Sequence, residues 1–250
     1  MTIPIDISEE SGIRYLHFGS EWVQGAMRIR KPDALELDYT REMMAGLLLR
    51  DAAWPKRVLL IGLGAGSLAK FIHRHLPEAH STVVEIAPEV HAVARQFFKL
   101  PDEDERLQIV IGDGADFVTQ DARQWDLIAV DGFDRHARAG ALATQPFYEA
   151  CRARLSDRGL LAVNLFGQLR GFKTQVQRLG KAFEGRVLAL PELESGNVVA
   201  FGAVGEPVES NLAELRVRAA SLKAATGLDL TPTLRRLEKS VVLPDGRLVF

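Results

Sequence analysis

Short apolar runs of strand length, at residues 58–61, 81–85, 107–111, 126–131 and 159–165, alternate along the chain with amphipathic stretches at 67–76, 88–98, 114–120, 145–155 and 171–184. Runs that are apolar throughout suit strands covered on both faces, and the intervening stretches repeat their apolar residues at the three-to-four spacing of a helix. Strict alternation of the two predicts an α/β fold: a doubly wound, mostly parallel sheet with crossover helices on both faces. Two further apolar segments, 185–190 and 197–202, follow with no helix between them. They predict an antiparallel hairpin that closes the sheet at seven strands.

The ends of the chain read differently. Residues 3–7, 14–18 and 22–29 alternate apolar and polar types in short runs and predict a small antiparallel β unit. Met43, Met44, Leu47 and Leu48 give a helix over 39–50, stopped by the Trp54-Pro55 break. Beyond Pro207 the pattern is helical over 211–226 and 231–239, before a short tail with an Asp245-Gly246 turn. The expected organisation is an N-terminal β unit (1–38), an α/β domain (39–205) and a C-terminal helical extension (206–250).

Three of the predicted strand ends carry the chemistry. After the first sheet strand, Gly62, Gly64 and Gly66 allow a sharp turn and close approach to a ligand, and the helix that follows offers unpaired N–H groups. A dinucleotide fingerprint places its third glycine one residue later, where this chain has Ser67, so the spacing fits an S-adenosylmethionine-type site better. Glu85 closes the next strand, where a carboxylate can accept both ribose hydroxyls, and Asp113, beside Gly114, can accept an adenine amino group. The strand 126–131 then runs into two carboxylates, Asp131 and Asp134, at the edge where open α/β sheets bind substrate. A carboxylate there can hold an ammonium and take its proton as the amine attacks an electrophilic carbon.

Composition narrows the partners. The chain has 250 residues and a formal charge of -2, which gives no overall attraction to nucleic acid or to an acidic membrane. No stretch reads as a signal peptide or a membrane span, so a soluble, cytoplasmic protein is expected. The single cysteine, Cys151, falls on an apolar helix face and is read as a core thiol. His73, His75 and His80 lack the spacing of a zinc site, so no metal is expected.

In order, Gly62-Leu-Gly-Ala-Gly66, Val84-Glu85-Ile86, Gly112-Asp-Gly114, Val130-Asp131-Gly-Phe-Asp134 and Phe147-Tyr148 resemble the spermidine synthase family of aminopropyltransferases, over residues 14–202. That family has the class I methyltransferase fold with a small N-terminal β domain. The resemblance implies that Glu85 binds the ribose, Asp113 the adenine amino group, that Asp131 is the catalytic base and that Asp134 helps to hold the amine. Gln24, Tyr39, Arg135 and Tyr148 would belong to the substrate pocket, and the family expectation is a homodimer.

Departures from the family pattern leave the reaction open. Ala65 replaces an acid that contacts the donor's aminopropyl amine, Thr40-Arg41 replaces a tyrosine-histidine pair, and Arg135 replaces a proline. The donor is therefore decarboxylated S-adenosylmethionine, with aminopropyl transfer to a small amine, or S-adenosylmethionine itself, with methyl transfer to a small molecule. A nucleoside-binding paralogue without catalysis is the third possibility, against which the retained Asp131 and Asp134 argue.

Overall fold

The computed structural model describes residues 4–51, 53–133, 138–169, 171–240 and 247–250. Strands β1 (Asp6–Glu10), β2 (Ile13–His17) and β3 (Val23–Arg28) form the N-terminal antiparallel sheet. Helix α1 (Asp38–Met43) follows and tightens into a 3-10 turn, Met44–Leu48. The sequence pattern predicts one helix here. Gly46 lies inside the turn with Leu160 and Trp54 packed where a Cβ would stand, so local packing overrides helical continuity.

The alternating region then runs β4 (Arg57–Ile61), α2 (Ser67–His75), β5 (His80–Glu85), α3 (Pro88–Phe97), β6 (Leu107–Ile111), α4 (Gly114–Gln120), β7 (Trp125–Val130), α5 (Gln145–Ala153), β8 (Leu155–Phe166) and α6 (Phe172–Ala182). The hairpin is β9 (Val187–Ala189) and β10 (Asn197–Ala203). Together the strands make one seven-stranded sheet in the order β6-β5-β4-β7-β8-β10-β9, parallel from β6 to β8 and antiparallel beyond. Strand β8 begins earlier than the apolar run because Leu155 pairs with Trp125 across a register shift. At the C-terminal end, β11 (Glu209–Asn211), α7 (Leu212–Thr226), α8 (Thr231–Glu238) and β12 (Arg247–Val249) complete the chain. The polar sequence of β11 gives no strand signal. It is held by its ladder to β12, a tertiary contact.

Alternation along β4 divides the core. Val58 and Leu60 face a cluster with Phe71 and Ile72 of α2 and Val90 of α3, while Leu59 and Ile61 face Val118 of α4, Tyr148 of α5 and Leu179 of α6. Leu215 of α7 and Leu234 of α8 join the first cluster, so the C-terminal helices share the core of the sheet. A charged tie lies in the same layer. Glu42 of α1, only 1 % exposed, is paired with Arg236 of α8. Burial pushes the Glu42 carboxyl above its ordinary range, against the opposing pull of Arg236. No helix among the described residues is long and apolar enough to cross a membrane.

Removing the cation leaves a buried carboxylate with only the Thr233 hydroxyl to favour its charge. Arg236→Met should cost roughly 2–4 kcal/mol at pH 7. A raised folded-state pKa means stability lost as the pH rises through that value, so the deficit should shrink toward pH 4, where Glu42 is protonated in both states. Urea unfolding of both proteins at the two pH values measures it.

Candidate active site

The parallel strands end in step, and their ladder continues one residue past each end. Gly62 N donates to Val84 O at 2.9 Å, Gly112 N to Glu85 O at 2.9 Å and Asp131 N to Ile61 O at 2.8 Å. The chain leaves the sheet at one edge from five parallel strands, with β4 at the centre, where the strand order reverses direction. A cavity of about 1000 Å³ opens there.

Gly62 is fixed by geometry. Its φ is +95°, and a Cβ would lie 2.2 Å from the Asp131 carbonyl oxygen, so only glycine lets the β4 turn pass the end of β7. The next turn residues meet β3 from the N-terminal sheet. A Cβ on Gly64 would stand 3.1 Å from Gln24 O, and one on Gly25 would stand 2.6 Å from Ala65 Cβ. Ser67 Oγ donates to Ala26 O at 3.2 Å, which ties the start of α2 to the same strand. Strand β3 is therefore a roof on the glycine turn. The Ala65 methyl lies where a Cβ on Gly25 would stand, so the glycine at 25 is what lets β3 sit on Ala65.

Glu85 lines the cavity and is buried. Its Oε2 accepts from Leu63 N at 2.8 Å and its Oε1 from Ala87 N at 2.9 Å. Burial raises its pKa, and these backbone donors oppose the rise. The carboxylate thus clamps the turn after β4 to the turn after β5. Asp113 also lines the cavity and caps α4, with Oδ1 accepting from Ala115 N at 2.7 Å and Asp116 N at 3.3 Å. A Cβ on Gly114 would lie 2.4 Å from Ile61 Cγ2, so that glycine lets the helix start sit against β4.

Asp131 is partly buried at the cavity wall between two donors. Asn164 Nδ2, near the end of β8, donates to its Oδ1 at 2.9 Å, and the Tyr39 hydroxyl of α1 donates to the same carboxylate. Burial pushes the Asp131 carboxyl up, and both hydrogen bonds draw it down. Tyr39 is held well above its ordinary pKa by its own burial and by Asp131, so it remains a donor. Beside them stands an aromatic wall: Phe133 lies 4.9 Å and Trp22 6.1 Å from Phe166, centroid to centroid, both edge-on. Sequence reasoning missed Asn164 and this wall. The polar Asn164 inside the apolar run of β8 was the available signal.

The remaining expected residues separate. Gln24 and Tyr39 line the cavity. Tyr148 does not: it is fully buried on the opposite face of the sheet in the cluster with Phe147 and Cys151, because its position on α5 turns it into the core, so it is corrected from pocket to core residue. Burial pushes the Cys151 thiol up, away from nucleophilic chemistry. Arg41 lines the cavity with its charge engaged by Asp38 at 2.6 Å and by the carbonyls of Leu35 and Glu36, while Thr40 Oγ1 donates to Leu37 O at 2.6 Å. Arg138 also lines the cavity. Asp134 and Arg135 lie outside the described residues. His73 pairs with Asp104 and His75 with Asp33, each at 2.9 Å.

A seven-stranded, doubly wound sheet with its site at the switch of strand order is the class I methyltransferase-like fold. Within that class, the spermine/spermidine synthase domain model matches residues 37–186, and the chain belongs to that family. It is 41 % identical to a polyamine aminopropyltransferase of Neisseria meningitidis, over 94 % of this chain and 89 % of the relative. The crystal structure of a "probable spermidine synthase" from Corynebacterium glutamicum superposes with a TM-score of 0.73 at 23 % identity, covering 88 % of this chain and 84 % of that one. The structure of human methyltransferase-like protein 13 in complex with SAH gives a TM-score of 0.65 at 26 % identity, over 80 % and 93 % of the two chains. The protein is a transferase of this family.

The Glu85 clamp is directly testable. In Glu85→Gln one carboxamide position becomes a donor facing a backbone N–H, so one of the two bonds is lost and the glycine turn loosens. Affinity for methylthioadenosine in isothermal titration should fall by about tenfold or more, together with a lower melting temperature.

Proposed function

We propose that the protein transfers the aminopropyl group of decarboxylated S-adenosylmethionine to the nitrogen of a small primary amine. The observation that carries this reading is Asp131. It stands at the switch point of the sheet in the same cavity as Glu85, and its hydrogen-bonding neighbours Asn164 and Tyr39 are both donors. A carboxylate so arranged is kept ready to accept a proton.

In the proposed reaction the amine lone pair attacks the methylene bonded to the sulfonium. The new C–N bond forms as the C–S bond breaks and methylthioadenosine leaves. The proton shed by the nitrogen passes to Asp131. Glu85 would accept from the ribose hydroxyls with the lone pairs its backbone bonds leave unused, Asp113 would accept from the adenine amino group, and Gly62, Gly64 and Gly66 would admit the nucleoside close to the backbone. The engaged charge of Arg41 leaves the wall tolerant of a cationic amine. Identity of 41 % to a polyamine aminopropyltransferase supports the aminopropyl reading.

Ala65 favours a second reading, methyl transfer from S-adenosylmethionine, because a methyl group stands where the family's acid would hold the aminopropyl amine. Turnover assays with the two donors in parallel, each with a small diamine, discriminate. Methylthioadenosine formed from the decarboxylated donor supports the proposal, and S-adenosylhomocysteine formed from the other supports the alternative.

Asp131→Asn should lower kcat by at least about a hundredfold with donor affinity within about threefold, since the base is lost and the cavity keeps its shape. In the wild type, kcat/KM should fall with decreasing pH through the raised pKa of Asp131, above the 3.8 of an ordinary aspartate, because protonation removes the base. A pH-rate profile of the wild type checks the sign.

A further inference from the structure

The hydrogen bonds at Asp131 do not end with Asn164. Asn197, at the start of β10, donates from Nδ2 to Asn164 Oδ1 at 2.9 Å, and Ser195 Oγ donates to Asn197 Oδ1 at 2.7 Å. Strand pairing sets this up: Val199 faces Asn164 and Asn197 faces Phe166, so the two asparagines are diagonal neighbours on adjacent strands. Both amides are buried, at 4 % and 5 % exposure, while Ser195 lies at the cavity rim on the loop before β10.

The polarity of this chain is forced from one end. An ionised carboxylate only accepts, so Asn164 must turn its Nδ2 to Asp131. Its Oδ1 then faces Asn197 and can only accept, which turns Asn197 Nδ2 inward and leaves Asn197 Oδ1 in need of a donor. The Ser195 hydroxyl supplies it. Every donation runs toward Asp131, and hydrogen bonds aligned in this way polarise one another.

We propose that Ser195 and Asn197 are positioning residues for the base, fixing through Asn164 the amide that donates to Asp131. Without Asn197, Asn164 Oδ1 becomes a buried acceptor with no partner, and the Asn164 amide is no longer held against rotation. Rotated, it presents oxygen to the Asp131 carboxylate, and a donor becomes a repelling acceptor. Tyr39 from α1 is then the remaining group that holds the carboxyl pKa down against burial. The other charged residues on the cavity wall, Glu36, Asp38, Arg41, Glu85, Asp113 and Arg138, are the same in all the variants below, so a shift reports the relay. The catalytic consequence rests on the reading of Asp131 as base, whereas its titration does not.

The test is a 13C NMR titration of side-chain carboxyl-labelled aspartate in the protein without substrate, with the Asp131 signal assigned by its loss in Asp131→Asn. Asn197→Leu should raise the Asp131 midpoint by about one pH unit, a tenfold change in proton affinity. Ser195→Ala should move it in the same direction by less, and Ser195→Thr, which keeps the hydroxyl, should restore the wild-type value. An unmoved midpoint in folded Asn197→Leu overturns the proposal. Should that variant fail to fold, the serine pair decides, since equal midpoints in Ser195→Ala and Ser195→Thr also overturn it. The acid limb of kcat/KM with decarboxylated S-adenosylmethionine and a small diamine should shift by the same amount, with the donor KM within about twofold. Midpoints that move in a protein showing no aminopropyl transfer support the relay and refute the reaction assigned above.

Discussion

The passage of Gly62 against the backbone of Asp131 is the constraint on which the site depends. Two parallel strands end side by side, one must turn over the other, and the 2.2 Å that a Cβ would leave to the Asp131 oxygen permits only glycine. With that turn seated, the Gly62 and Asp131 amides both complete the ladder, to Val84 and Ile61, so the proposed base and the proposed cofactor turn are fixed to one rigid edge. Glu85 extends the constraint to the neighbouring strand by binding Leu63 N and Ala87 N together. The backbone at the proposed reaction centre is thus set by the strand ladder and the Glu85 clamp, the kind of preorganisation that group transfer requires.

Electrostatics follow from the same placement. Asp131 and Glu85 are both buried enough for their carboxyls to be pushed up, and both are supplied with donors that favour the charged form. They differ in what donates. Glu85 is met by backbone N–H groups, which hold a shape, and Asp131 by side chains from α1 and β8, which can be altered one at a time. A clamp and a reactive group are thereby separated by the nature of their partners.

Much of this was legible in the sequence because strand ends in a parallel sheet fall at one edge, so residues that close apolar runs share a neighbourhood. Gly62, Glu85, Asp113 and Asp131 all obey that rule, and all line one cavity. What the one-dimensional pattern concealed depends on cross-strand registration. Asn164 looks like a flaw in an apolar run until β10 brings Asn197 diagonally beside it, and Gly25 has no evident meaning until β3 lies on Ala65. Tyr148 misled for the converse reason: its motif position matches the family, yet its place on the α5 face sends the ring into the core. The 3-10 turn after α1 and the polar strand β11 were likewise set by distant partners.

The contact between Gly25 and Ala65 carries an evolutionary consequence. Two residues forty positions apart, one on β3 and the other in the turn after β4, meet so closely that a Cβ on Gly25 would stand 2.6 Å from the Ala65 methyl. Substitutions at the two sites are not independent, and the order in which they arise matters. A larger residue at position 25 can be seated only if β3 moves or position 65 loses its methyl, so the N-terminal sheet and the glycine turn must change together.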